Sequence, residues 1–148
     1  MKALGMFLVA LLLVVSAEVR AQDAQKSLEG AKFDKAVANY LVALQSPNDG
    51  LRRSAIYQLG QFQATRATIP LMAVLRNSTD EKSRIAAAWA LCKIGKEVGT
   101  YAVKEAVRFD DSKKVQMHSA WYYNLYVAEG TFAFIPAASG STTIAEVR

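Results

Sequence analysis

The chain has one cysteine, one histidine and three prolines in 148 residues. A lone cysteine excludes an internal disulfide, so the fold must be held by an apolar core. That residue, Cys92, sits beside Leu91 in an apolar stretch and reads as a small buried hydrophobe, with pairing between chains as the alternative. The lone His118 supplies too few ligands for a zinc site, which needs three or four. No motif joins it to the neighbouring Ser119, Asp110 or Asp111 for nucleophilic work. Glycine-rich phosphate loops, nucleophile elbows, His-Glu-x-x-His and calcium loops are all missing. The acid pairs Asp80-Glu81 and Asp110-Asp111 open helical segments, where capping accounts for them. No catalytic residue, metal or cofactor is expected, and the chain reads as a non-enzyme.

Runs of one charge are missing too. The 18 basic residues outnumber the 13 acidic ones, for a net charge of +5. They are scattered, however, with no basic run longer than Arg52-Arg53 or Lys113-Lys114. A nucleic-acid binder gathers its cations on one face or stripe, so no nucleic-acid partner is expected. No apolar run is long enough to span a bilayer, which takes about 20 residues. The longest, Leu4 to Val15, follows the basic start Met1-Lys2-Ala3 and precedes Ser16-Ala17-Glu18-Val19-Arg20-Ala21. That order is the order of a secretory signal, residues 1–21, cleaved after Ala21; an uncleaved anchor is the alternative. No cysteine lies nearby to carry a lipid. The mature chain would begin at Gln22 without Lys2, Glu18 and Arg20, leaving a net charge of +4. It would be exported, periplasmic or extracellular, with no integral membrane segment. Asn77-Ser78-Thr79 fits a glycosylation site that only a eukaryotic secretory route would use.

What is present is a repeat. Arg52-x-x-Ala55-x-x-x-Leu59-x-x-Phe62 recurs 32 residues later as Arg84-x-x-Ala87-x-x-x-Leu91-x-x-Ile94. A weaker copy follows as Gln116-x-x-Ser119-x-x-x-Tyr123-x-x-Tyr126. Ala55, Leu59 and Phe62 fall at i, i+4 and i+7, one face of a helix. Pro47-Asn48-Asp49, Ser78-Thr79-Asp80-Glu81 and Asp110-Asp111-Ser112 open the three segments with residues that cap a first turn. Shorter helices lie between, with Leu71 and Leu75 in register with Val103 and Val107, and Pro70 tolerable in a first turn. Upstream, Phe33, Val37, Tyr40, Leu41 and Leu44 form a stripe. The pattern predicts helices near 31–45, 51–62, 67–76, 82–94, 99–108 and 113–128, in a repeat domain over 22–130. Residues 131–148 read as a tail, either a cap or a disordered end, with one short stretch of strand-like alternation.

Glu81-x-x-Arg84-x-x-Ala87-x-x-x-Leu91-x-x-Ile94-Gly95 resembles the first helix of HEAT repeats, and among them the short bacterial units of phycobilisome-lyase-like proteins. The copy from Leu51 has Gln63 in place of the closing Gly, and the copy from Val115 lacks both the Arg and the Leu. The resemblance covers roughly Ser46 to Ala128. It implies an all-α fold: a short right-handed α-solenoid of stacked antiparallel helix pairs, about six helices with a 32-residue period, after the signal peptide. It also implies a scaffold that binds a protein partner. A lyase-like ligand carrier would need acid, base or thiol chemistry that these residues do not supply, and export counts against it. A second resemblance, of Ala36-x-x-x-Tyr40-x-x-Ala43-Leu44-x-x-Pro47 to a tetratricopeptide helix, is set against that family's period of about 34 residues. Its Trp and Gly-Tyr signature is absent here.

With the core at Ala87, Leu91 and Ile94, Trp89 falls on the opposite side of its helix at 100° per residue. Tyr57 and Trp121 share its phase. The three form a candidate aromatic ladder for a protein partner; packing between repeats, or cover by the tail, is the alternative. Arg66, Lys104 and Arg108 of the second helices are the candidates on the opposite face. Trp121-Tyr122-Tyr123-Asn124-Leu125-Tyr126 makes the last helix apolar all round, so the tail or a second copy should cover it, and a homo-oligomer follows from the latter.

Overall fold

The computed structural model describes residues 28–136 and 142–147. The expected signal segment, 1–21, lies outside the described residues. The chain divides into two compact units, residues 1–36 and 37–148. The boundary falls inside a helical stretch over 28–43, α1, whose first part is all that is described of the first unit.

The second unit continues with α2 (Asp49–Gln61), a single 3-10 turn (Thr65–Ala67), α3 (Thr68–Asn77), α4 (Glu81–Ile94), α5 (Glu97–Phe109) and α6 (Lys113–Tyr126). Strands β1 (Phe132–Pro136) and β2 (Thr142–Glu146) close it. The expected helices after the first lie close to these bounds; α5 starts earlier, at Glu97, because Lys96 and not Gly99 precedes its first turn.

The helix starts repeat atom for atom. Asn48, Asp80 and Ser112 cap α2, α4 and α6 by accepting from the amides of Leu51, Ser83 and Val115. Their own amides donate to the side chains of Ser46, Ser78 and Asp110, two residues earlier. Arg52 and Arg84 then reach back six residues, each donating through Nη1 to the Ser46 or Ser78 carbonyl at 2.9 and 2.8 Å. Gln116 does the same work on the Asp110 carbonyl, at 2.6 Å, where the arginine of the pattern is missing. Each loop thus satisfies one orphan donor of the first turn and one of its own carbonyls. Arg84 also grips both oxygens of Asp110 at 3.0 Å, and Arg53 holds Asp80 at 2.7 Å, so consecutive loops are tied together.

Helices α2, α4 and α6 pack side by side as one layer; α3 and α5 pack as a second layer beneath, with α4 touching both and α5 meeting α6. Between the layers, Ala55, Ile56 and Leu59 repeat as Ala87, Ala88 and Leu91, all fully buried, with Leu71 and Val103 from the second helices. Val37 and Leu44 join this core. Fully burying one such Leu or Ile side chain contributes roughly 1.5–3 kcal/mol. Small Ala at the first position lets the helices approach, and Leu fills the space behind it. In the third repeat Ser119 and Tyr123 take these places; Ser119 is buried and Tyr123 partly so.

The described part of the tail forms a two-stranded hairpin. β1 and β2 pair antiparallel, Phe132 opposite Glu146 and Phe134 opposite Ile144. Phe132 is buried on Val107 and Ala120, and it meets the Tyr123 ring edge-on with centroids 5.5 Å apart. The array is the all-α solenoid expected, with a two-stranded hairpin added at its end.

Candidate functional site

Two faces of the array carry apolar side chains in excess of what the core uses. On the first-helix layer, the Tyr57 and Trp89 rings lie flat on each other, centroids 4.9 Å apart and planes within 7°. Trp89 does not stand out into solvent as the helical-wheel reading has it. Gly60 leaves a hollow on α2, and the indole fills it: a Cβ at Gly60 would sit 2.6 Å from the ring and 2.9 Å from the Ala90 methyl. Half-buried Trp89 is therefore part of the packing between repeats, while Tyr57 remains 50% exposed at its edge.

The ladder stops there. Thirty-two residues after Gly60 stands Cys92, which puts a buried side chain where the first repeat has none. Trp121 is 52% exposed and tilts against Tyr122 at 5.2 Å.

On the second-helix layer, α3 and α5 leave an apolar groove of about 480 Å³ between them. Met72, Ala73, Ala102 and Ala106 line its floor, with Arg76 and Glu105 on the rim. Ile69 and Phe109 flank it, 65% and 71% exposed. Tyr101, at the register of Ile69 in the next repeat, is likewise exposed. Sequence reasoning missed Ile69 and Phe109. The signal was available, because neither belongs to the buried series Leu71/Val103 and Leu75/Val107.

The basic candidates on this layer do not form one free patch: Arg66 stands apart from the pair Lys104 and Arg108. Arg66 is exposed and lies in the 3-10 turn ahead of α3, not in the helix itself. Lys104 and Arg108 both bind Glu146 of β2, Lys104 at 2.7 Å, and Lys104 also lies over the Tyr123 ring. Their charge is taken up by the chain's own hairpin. Glu146 is held at about 2, below its ordinary 4.5, first by the Lys104 bond and then by Arg108.

The reactive groups are engaged or shielded. Burial pushes the Cys92 thiol up to about 12, so almost no thiolate forms near neutrality. His118 bonds through Nδ1 to the Lys114 carbonyl at 2.7 Å, one turn back on α6. Among the described residues no three His, Cys, Asp or Glu side chains come together to hold a metal ion. No helix among them is long and apolar enough to cross a membrane.

No curated protein matches the chain. A family model of HEAT repeats matches it twice, over residues 7–92 and 37–124. The second span takes in both stacked layers and all three loop motifs, and the chain belongs to the HEAT-repeat family.

Proposed function

We propose that this protein is an exported, non-catalytic scaffold that binds another protein across the groove between α3 and α5. One observation carries the reading: Ile69 and Phe109 stay largely exposed on either side of an apolar floor, though the core gains nothing from them. Contiguous apolar exposure on a rigid surface marks an interaction site, and bulky anchors at its centre supply most of the binding energy. The tie between Arg84 and Asp110 supports the reading, because it fixes the second loop to the third and so holds α3 and α5 at a set spacing. Mixed charge on the rim, Arg76 with Glu105, suits an amphipathic protein segment better than nucleic acid. Export rests on the signal-like order of residues 1–21, and placement in the periplasm or outside the cell follows from it.

The first-helix aromatics remain a second face. The observation in their favour is that Tyr57 and Trp121 are each half exposed. Immobilised wild-type protein in an envelope extract separates the two readings when compared with Ile69→Ser/Phe109→Ser and Tyr57→Ala/Trp121→Ala. Groove binding predicts that the first double variant loses the proteins captured by wild type, while the second keeps them. The opposite pattern moves the site to the aromatics.

A further inference from the structure

The hairpin stands where a further repeat would begin. Met72 and Arg76 of α3 line the groove shared with α5, and their equivalents 32 residues on, Lys104 and Arg108, hold Glu146 instead. Gly60 faces Trp89 and Ala90 of the following repeat. Its equivalent in the third repeat, Asn124, grips β1: the side-chain amide donates to the Phe132 carbonyl at 2.8 Å and its oxygen accepts from the Phe132 amide at 3.0 Å. The face of α5 and α6 is therefore a receptor in three parts. It has a side-chain clamp that reads strand backbone, an apolar seat formed by Val107, Ala120 and Tyr123, and a basic pair that takes a carboxylate.

We propose that this receptor also accepts the hairpin of a second copy of the chain, so that the protein dimerises by exchanging C-terminal hairpins. The occupant is argued from complementarity. A copy's hairpin brings the same Phe132 backbone, the same ring and the same Glu146 carboxylate, and exchanged contacts are identical to the closed ones. The clamp needs a strand, and the basic pair needs an acid at the register of Glu146, opposite Phe132. The connection is suited to opening. Val127 to Gly130 is exposed throughout, and Gly130 alone in it takes a positive φ, +72°. Trp121, Leu125, Tyr126 and Val127 are exposed on the last turns of α6, directly before this hinge. Exchange brings two such ends together and covers them, which is the gain that the closed form lacks. The closed form holds its hairpin by one buried ring, one side-chain clamp and partly exposed ion pairs, the last individually weak, and a two-stranded hairpin has little stability of its own. This inference is independent of the groove reading, because it uses the other side of α5.

A charge-swap pair of full-length variants tests it. Lys104→Glu/Arg108→Glu and Glu146→Lys each set like charges against each other within one chain, whereas an exchanged heterodimer restores opposite charges at both receptors. After the two are mixed and refolded together, native mass spectrometry should show the mixed species at twice the chain mass, while each variant alone stays at one. A mixture that remains monomeric overturns the proposal. Should either variant lose its helical circular dichroism, wild type decides. Carbodiimide coupling of Lys104 to Glu146 in co-refolded light and 15N-labelled protein should yield mixed-isotope crosslinks. Crosslinks of one isotope only would place every hairpin on its own chain and end the idea.

Discussion

Gly60 and Gln63 stand three residues apart at the end of α2, and each shows a local rule yielding to its surroundings. In an exposed helix Gly60→Ala would add about 1 kcal/mol of helix propensity. Here the new methyl meets the Trp89 ring, the Ala90 methyl and, at 3.0 Å, the Ala90 backbone, which cannot give way. Overpacking of this kind costs about 1–3 kcal/mol and should win, so Gly60→Ala is expected to lower the denaturation midpoint. The displaced indole should also lose its stack on Tyr57, seen as a change in tryptophan fluorescence. Gln63 stands at φ +48°, where its equivalent Gly95 closes α4 at +70°. A left-handed conformation costs an L-residue about 1–2 kcal/mol, part of which Gly returns through its freer unfolded chain. Gln63→Gly should stabilise by about 0.5–1 kcal/mol in a urea titration, and Gly95→Ala should destabilise by a similar amount. The third member of this series is Val127, at φ −115°; a β-branched residue does not enter the left-handed region, so α6 ends differently and the chain turns into the hairpin.

At the scale of elements, the loops that open α2, α4 and α6 hold the array in register. Arg84 is mostly buried against a buried Asp110. Truncating it strands that carboxylate as well as the Ser78 carbonyl, and Arg84→Ala should cost about 2–4 kcal/mol in equilibrium unfolding. Gln116→Ala removes the neutral bond to the Asp110 carbonyl and an exposed bond from Lys113, and should cost only about 1 kcal/mol. Acid acts on the same loops. Burial alone would raise the Asp80 carboxyl, but the bonds from the Ser83 hydroxyl and amide and from Arg53 outweigh it and bring the group from 3.8 to about 2. A lowered folded-state value means stability that is complete above pH 3.8 and is lost as pH falls through about 2. The Glu146 latch runs in the same direction, complete above 4.5 and lost toward 2. The ring-current shifts of Phe132 against Tyr123 should relax in that window by NMR, and Glu146→Gln should abolish the pH dependence of those shifts.

The loops and the core of the first helices were legible in the sequence because their determinants are local. Ser46-x-Asn48, Ser78-x-Asp80 and Asp110-x-Ser112 repeat with the Ala and Leu that follow them, and periodicity reads such patterns directly. The hairpin was legible only as a short strand-like stretch in a tail that could cap the array, because its placement depends on Asn124, Lys104 and Arg108, which lie on other elements. Trp89 was misplaced for a related reason: a helical wheel fixes a direction from one axis, whereas the hollow at Gly60 belongs to a neighbouring helix.

For the whole molecule, the stacked layers set one apolar groove against one partly spent aromatic face. The candidate site was legible only in part. Tyr57 and Trp121 are exposed as the pattern indicated, but Lys104 and Arg108 are neutralised by Glu146, and the groove flanked by Ile69 and Phe109 depends on how α3 lies against α5. Rigid display is the central claim, so the decisive measurement is a hydrogen-exchange footprint of the protein in complex with the partner it captures. Added protection is expected at the exposed turns of α3 and α5 around Ile69 and Phe109, with α2 and α4 unchanged around Tyr57 and Trp89. Protection confined to α2 and α4, with α3 and α5 unaffected, would contradict that claim.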